Sequence, residues 1–143
     1  DIYRKALQHS RTEAGELDPF VAGKIANMHA DVADAYRSAG RLNEAIAEYR
    51  KAISLRPKFA DIRTKLAAAL RDAGQIEAAT NELKQALADK PQYLLARTQL
   101  GVCYYSMGKL DEAVAEWNEV LNQDPQNASA SMYVKLVQGE RKG

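Results

Sequence analysis

Few side chains in this sequence could do acid–base or nucleophilic chemistry, and they are not spaced to act together. The two histidines, His9 and His29, lie twenty residues apart, with no cysteine or carboxylate at the spacing of metal ligands. Cys103 is the only cysteine, which excludes an intramolecular disulfide. There is no glycine-rich phosphate loop and no Ser-His-Asp set. We therefore expect no catalytic residue, no metal site and no cofactor, and predict that the protein is not an enzyme.

The composition argues against two classes of binding partner. The 20 Lys and Arg residues nearly balance 19 Asp and Glu residues, and a net charge of +1 gives no electrostatic case for nucleic acid. No apolar run approaches the roughly 20 residues of a membrane-spanning helix. The chain begins at Asp1 and shows no signal peptide, which we interpret as a truncated or processed N-terminus. No compartment is assigned, and the cytoplasm is the default expectation.

Three residue types recur at a constant interval, which indicates how the chain is organised. The residues spaced 34 apart are Pro57, Pro91, Pro125, Gly40, Gly74, Gly108, Ala45, Ala79 and Ala113. Such a long period marks stacked supersecondary units. Glycine can end a helix in the left-handed conformation without a steric penalty, because it has no Cβ. Proline stops a helix because it lacks the N–H and clashes with the preceding turn. Each unit is therefore predicted to be a helix, a tight turn, a second helix and a short turn.

Apolar residues within each unit follow the i, i+3, i+4, i+7 spacing of amphipathic helices. In the first unit, the residues of the first helix that are predicted to face the core are Met28, Val32, Ala35 and Tyr36. Small residues such as Gly101 are expected where paired helices approach closely, and a bulky side chain there would cost about 1–3 kcal/mol. The predicted fold class is all-α, an α-solenoid of stacked antiparallel helix pairs.

These units resemble the tetratricopeptide repeat family. The family pattern is W-x2-L-G-x2-Y, then A-x3-F, then P, and residues 94–127 fit it best, with Leu100-Gly101-x2-Tyr104, Ala113-x3-Trp117 and Pro125. The first aromatic is replaced in the three units by His29, Arg63 and Arg97. The resemblance implies a right-handed superhelix whose first helices line a concave groove, and a non-catalytic role in binding other proteins.

The repeat pattern leaves a flank at each end of the chain. Residues 18–127 are predicted to hold three repeats, 18–59, 60–93 and 94–127, the first with an extended first helix because Asp18-Pro19 is a good N-cap and first-turn pair. Residues 128–143 are predicted to form a capping helix and a tail. Residues 1–17 are predicted to hold a partial upstream helix and a polar loop, because Tyr3-Arg4-Lys5-Ala6-Leu7 echoes Tyr49-Arg50-Lys51-Ala52-Ile53.

The resemblance also indicates which side chains of the first helices face the groove, namely those at positions 2, 5, 6, 9, 12 and 13 of each unit. The predicted partner-binding residues are Asn27, Asp34, Arg37, Thr64, Lys65, Arg71, Leu95, Thr98, Val102 and Tyr105. The groove thus changes from charged to apolar along its length. Chaperone-binding members grip a peptide C-terminus with a clamp of cations and asparagines. Such a clamp is disfavoured here, because only Lys65 is a cation among the matching positions.

The apolar end of the groove suggests a more specific binding site. The predicted apolar slot consists of Leu95, Val102 and Tyr105 with Met132, Tyr133 and Leu136 of the last helix. One interpretation is a slot for an amphipathic helix or an extended apolar peptide. The other is that the terminal helix or a neighbouring chain buries these side chains. If Tyr105 and Tyr133 are both largely buried within the monomer, the slot hypothesis fails.

Three functions remain open at this stage. The leading hypothesis is a scaffold that binds a peptide or helix of a protein partner in its concave groove. The second is a homo-oligomerising protein, for example a homodimer, that assembles through the ends of the stack. The third is the regulatory repeat region of a larger enzyme. The scaffold alone does not rank them, because one fold carries many unrelated functions.

Overall fold

The computed structural model describes residues 18–142, and these residues form seven α-helices joined by short turns. The helices are α1 (Pro19–Ser38), α2 (Leu42–Leu55), α3 (Ala60–Asp72), α4 (Ile76–Asp89), α5 (Leu94–Ser106), α6 (Leu110–Gln123) and α7 (Ala128–Lys142). Each helix contacts the next along the chain. Because the turns are short, consecutive helices are antiparallel neighbours. The predicted fold class, an all-α helical-repeat solenoid, is confirmed for the described residues.

The turn inside each helix pair depends on a glycine in the left-handed conformation. Gly40, Gly74 and Gly108 have φ angles of +77°, +82° and +77°, as their spacing predicts. In the first turn the N–H of Gly40 donates to the carbonyl of Arg37 at 3.0 Å, and the N–H of Arg41 to the carbonyl of Tyr36 at 2.8 Å. These are the two bonds of a Schellman motif. Equivalent bonds follow α3 and α5, so the same turn is built three times.

The first helix is longer than its counterparts. It begins at Pro19, the residue expected from the Asp18-Pro19 pair, and runs for 20 residues, against 13 in α3 and α5. The Asp18 carboxylate accepts hydrogen bonds from the N–H groups of Phe20 at 2.9 Å and Val21 at 3.3 Å. These bonds satisfy donors that the first turn of a helix otherwise leaves free.

The third helix pair is in close contact through Gly101 and Trp117. A Cβ placed on Gly101 would lie 2.3 Å from Nε1 of Trp117, far inside van der Waals distance. Trp117 is only 1% exposed, and its Nε1 donates to the carbonyl of Thr98 at 3.0 Å. The equivalent pairs in the other units are Ala33 with Tyr49 and Ala67 with Leu83. The largest side chain therefore faces the smallest residue, as dense packing requires.

A polar pair occupies the place of the missing first aromatic in every unit. The pairs are Arg63–Glu82 at 2.6 Å, Arg97–Glu116 at 3.0 Å and His29–Glu48 at 2.6 Å. Arg63 and Arg97 also donate to the carbonyls of Pro57 and Pro91, at 2.6 and 3.2 Å. Each arginine thus joins both helices of its own unit to the turn that ends the unit before it.

One predicted core face is exposed. Met28 and Val32 are 48% and 47% exposed, and Ala35 is exposed as well, so the prediction that these side chains face the core is wrong. The equivalent residues of the later units are all buried: Ile62, Leu66, Ala69, Ala96, Leu100 and Cys103. Those positions face the second helix of the preceding unit, and the described residues contain no helix before α1. The helix predicted within residues 1–17 lies outside the described residues.

The last helix covers the opposite end of the stack. Its Ala130, Val134 and Val137 are buried in one cluster with Trp117 and Val120 of α6. Other side chains of α7 remain in solvent, among them those at positions 135 and 138, which are polar. A helix with one apolar and one polar side is what a solenoid needs at its end.

Candidate functional site

The first helices of the units share one side of the stack. Among them, α3 and α5 contact each other directly, as inner helices do in a curved solenoid. The surface of α1, α3 and α5 on this side is called the groove below. Its accessible side chains include Arg37, Lys65 and Leu95, and Leu95 is 52% exposed.

Two ion pairs join α1 to α3 across the groove. Nζ of Lys65 lies 3.0 Å from Oδ2 of Asp34, and Nε of Arg37 lies 3.0 Å from Oδ2 of Asp72. All four side chains remain between 35% and 47% exposed. Exposed pairs of this kind contribute about 0–1 kcal/mol each, so they add little to stability. Their main effect is on the charge that the groove presents, because each cation has a carboxylate beside it.

Tyr49 reaches the same cluster from the second helix of its unit. Its hydroxyl donates to Oδ1 of Asp34, while Oδ2 of Asp34 accepts from Lys65. Burial and the Asp34 carboxylate raise the pKa of Tyr49 far above its usual value, so the hydroxyl keeps its proton and remains a donor. Asp34 is therefore held from both sides and is a fixed element of the groove.

Two cavities open along the groove. The first, of about 390 Å³, is lined by Asp34, Arg37, Ser38, Tyr49 and Asp72. The second, of about 330 Å³, is lined by Arg37, Asp61, Thr64, Lys65, Ala68, Tyr93, Leu95 and Gln99. They share Arg37, so they adjoin each other. An extended segment lying across both would meet charged groups first and then an exposed leucine.

Two of the predicted groove residues are almost completely buried. Thr64 and Thr98 are only 2% and 8% exposed, and their hydroxyls donate to the carbonyls of Ala60 and Leu94 at 2.8 and 2.9 Å. Threonine inside a helix commonly satisfies its hydroxyl on the carbonyl four residues back. The equivalent Ala30 is also buried, so this position contributes mainly to the helix packing, and Thr64 forms only part of the wall of the second cavity.

The other predicted groove residues differ in exposure. Asn27 is exposed on α1, whereas Val102 is half-buried and packs against the cluster around Trp117. Arg71 is half-buried in the last turn of α3, and Arg37 occupies the same place in α1. Both arginines therefore also stabilise the negative end of a helix. Of the two, only Arg37 lines a cavity described above.

The predicted apolar slot is partly accessible. Leu95, Met132 and Leu136 are 52%, 58% and 52% exposed. The rings of Tyr105 and Tyr133 lie 6.5 and 5.1 Å from the ring of Trp117. Both tyrosines are therefore largely buried within the monomer, which meets the condition stated above and argues against a slot that includes them. A binding site at the accessible Leu95, Met132 and Leu136 remains a prediction.

Sequence reasoning missed two side chains that line the cavities. Tyr49 lies in a second helix and is completely buried, yet its hydroxyl donates to Asp34 at the wall of the first cavity. Tyr93 precedes α5 and lines the second cavity, whereas the prediction drew groove residues only from first helices. The period of 34 gave no separate signal for either residue, because it marks packing positions.

The described residues offer little for metal binding or for crossing a membrane. Among them, no group of three His, Cys, Asp or Glu side chains could hold a metal ion. None of the described helices is both long and apolar enough to traverse a bilayer. The buried Cys103 thiol has a pKa raised by desolvation, an effect that a hydrogen bond from Thr80 and the charge of Arg71 offset in part. These features leave the groove as the candidate site.

Stacked helix pairs with an accessible inner groove define a helical-repeat protein. The chain belongs to the tetratricopeptide repeat family. A family model described as "Tetratricopeptide repeat" matches residues 70–135, and one described as "TPR repeat" matches residues 33–71. Together the two matches span most of the chain. No curated protein sequence matches it.

Solved structures of similar fold are also tetratricopeptide repeat domains. The first such domain of Spaghetti (RPAP3), bound to the HSP90 peptide SRMEEVD, aligns with a TM-score of 0.79 and 22% identity, over 85% of this chain and 96% of that one. The Arabidopsis OM64 TPR domain aligns with a TM-score of 0.79 and 21% identity, over 83% of this chain and 98% of that one. The second TPR domain of human RPAP3, in complex with the HSP70 peptide SGPTIEEVD, aligns with a TM-score of 0.75 and 22% identity. The alignment covers 85% of this chain and 98% of that one. At these identities the likeness concerns the fold.

Proposed function

We propose that this protein is a non-catalytic interaction module that holds a peptide or a helix of a partner protein in the groove. The observation that carries the proposal is the pair of adjoining cavities, which places Arg37 and Lys65 beside the exposed Leu95. A surface that combines charges with an accessible apolar side chain suits an amphipathic segment. The similar domains of RPAP3 that hold peptides support this general role.

The peptide chemistry proposed here differs from that of those two neighbours. Their peptides, SRMEEVD and SGPTIEEVD, end in two glutamates, a valine and an aspartate. In this groove Lys65 is paired with Asp34, and Arg37 is paired with Asp72. A strongly acidic terminus would have to displace a carboxylate from each cation, which reduces the net electrostatic gain. The proposed ligand therefore contributes one apolar anchor near Leu95 and at most a few acidic side chains.

Affinity capture from native lysate, followed by mapping of the bound segment on overlapping peptides, provides the ligand for a test. Its affinity is then measured by titration calorimetry for the wild type and for a Lys65→Glu/Leu95→Glu variant. Gln85→Glu, at an exposed position of α4 in a second helix, is the matched control. We expect the double variant to bind at least about tenfold more weakly and the control to bind like the wild type.

Two results would contradict the proposal. Equal binding by wild type and double variant would move the site out of the groove. Tight binding of SRMEEVD itself would show that the paired cations are available after all. Circular dichroism of each variant shows whether the helices are intact, so that a loss of binding is not a loss of fold. Both substituted groove side chains are about half exposed, so we expect the variants to fold.

A further inference from the structure

Arg71, in the last turn of α3, is a cation that the stack leaves without a carboxylate. One unit earlier, Arg37 at position 12 pairs at 3.0 Å with Asp72 at position 13 of the following unit. Arg71 is the equivalent arginine of the second unit, but the equivalent of Asp72 in the third unit is Ser106. Within residues 18–139 no carboxylate lies at ion-pair distance from Arg71. The repeat therefore compensates one arginine and leaves the next one uncompensated.

The place of Arg71 on α3 directs it to the groove surface between α3 and α5. It follows Ala68, which lines the second cavity, by three residues, and residues three apart share one face of a helix. Burial raises the pKa of the Cys103 thiol, whereas a hydrogen bond with Thr80 and the positive charge of Arg71 lower it. Because Cys103 belongs to α5, the guanidinium of Arg71 is close to that helix. A ligand that leaves the second cavity along this face would meet Arg71.

A half-buried guanidinium without a partner favours the binding of a carboxylate. Part of the water shell of Arg71 is already lost, because the residue is half-buried. One guanidinium can donate two parallel N–H bonds to one carboxylate, which gives a strong and directional contact. At Lys65 and Arg37 an incoming carboxylate must displace Asp34 and Asp72, whereas at Arg71 it displaces no protein group.

We propose that Arg71 binds an acidic side chain of the partner segment and thereby fixes the direction in which that segment lies in the groove. The inference rests on the proposed function, in which an apolar side chain of the same segment contacts Leu95. The α3 equivalent of Leu95 is Asp61, ten residues before Arg71, which corresponds to about 15 Å along the helix axis. With about 9 Å between neighbouring helices, the separation is about 17 Å, or about five residues of an extended chain.

A positional peptide library tests the inference. Each peptide of about 13 residues has a central leucine and one glutamate at a single other position, in a mixed background of alanine, serine, threonine and glutamine. Binding is measured by fluorescence anisotropy for the wild type, Arg71→Gln and the control Lys58→Gln, which removes the same charge from an exposed position between α2 and α3. We expect the wild type and the control to prefer a glutamate about five residues from the leucine, on one side only, by about fivefold. Arg71→Gln should show no such preference.

A charge reversal makes the test specific to Arg71. Arg71→Glu should reject the peptide that the wild type prefers and should select a lysine at the same position of a matching lysine library. Circular dichroism of each variant shows that its helices are intact.

The outcomes separate this inference from the proposed function. Binding that Leu95→Glu abolishes, but that does not depend on the position of the glutamate, would overturn the inference alone. A positional preference that Arg71→Gln retains would do the same. If the wild type shows no binding that depends on the central leucine, the proposed function fails, and the inference fails with it.

Discussion

The contact between Gly101 and Trp117 predicts a pair of substitutions that compensate each other. Gly101→Ala places a methyl group 2.3 Å from Nε1 and 2.7 Å from Cδ1 of a tryptophan that is 1% exposed. The indole cannot turn away freely, because it donates to the carbonyl of Thr98 and its ring stacks on Tyr133. Trp117→Leu removes the obstacle, and together with Gly101→Ala it recreates the alanine–leucine pair that the second unit forms with residues 67 and 83.

The size of each effect follows from this geometry. Overpacking of this kind destabilises the fold by about 3 kcal/mol, and the better helix propensity of alanine stabilises it by about 1 kcal/mol. Gly101→Ala should therefore lower the free energy of unfolding by about 2 kcal/mol. Trp117→Leu alone leaves a cavity and should lose about 3 kcal/mol. Without coupling, the double variant would lose about 5 kcal/mol. In the double variant the overpacking is relieved and the gain in helix propensity remains, so we expect a loss of about 2 kcal/mol, which corresponds to a coupling energy of about 3 kcal/mol.

Urea denaturation followed by circular dichroism measures these differences. With a slope of about 2 kcal/mol per molar urea, a coupling energy of about 3 kcal/mol shifts the midpoint by about 1.5 M. Gly139→Ala is the control, because a Cβ on Gly139 meets nothing within 4 Å and reports helix propensity without a clash. Additive losses in the double variant would refute the reasoning, since they would show that Gly101 is not needed to accommodate the indole.

Three further predictions concern turns, pH and thiol reactivity. Gly74→Ala should lose about 1–2 kcal/mol of unfolding free energy in urea, because Gly74 has a φ angle of +82°, whereas Gly139→Ala should be neutral or stabilising. Burial raises the pKa of Glu48, but hydrogen bonds from His29 and a nearby lysine outweigh burial and hold it below the usual value. The stability that Glu48 contributes is thus present above its unfolded pKa of about 4.3 and is lost as the pH falls through the pKa of the folded state. Between about pH 6 and pH 3 the urea midpoint should therefore fall more for the wild type than for Glu48→Gln. Cys103 is buried with a raised pKa, so a thiol reagent such as DTNB should label it only on unfolding, and rapid labelling of the native protein would contradict this.

The elements of the fold were predictable because they depend on local backbone requirements that recur in the sequence. A left-handed turn needs glycine, and a proline stops a helix, so Gly40 and Pro57 with their equivalents mark where helices end. The exposure of the first unit was not predictable in this way. Periodicity shows that Met28 and Val32 are apolar, but whether a preceding helix covers them depends on the rest of the stack.

The groove was predictable only in outline. The family resemblance places the first helices inside, and Arg37, Lys65 and Leu95 do line the cavities. The burial of Thr64 was missed, because a pattern of positions does not show how closely neighbouring helices approach. The polar pairs at His29, Arg63 and Arg97 did leave a signal, since Glu48, Glu82 and Glu116 also recur every 34 residues.

The pairing of groove charges between units has a consequence for how the proposed ligand would be recognised. Lys65 and Asp34 are 31 residues apart and belong to neighbouring units, so each cation is neutralised by the stack itself. A ligand carboxylate would exchange with an existing one and gain little, so electrostatics would orient the ligand more than strengthen its binding. Affinity would then depend on the apolar anchor at Leu95, which is half exposed and has no such partner to displace.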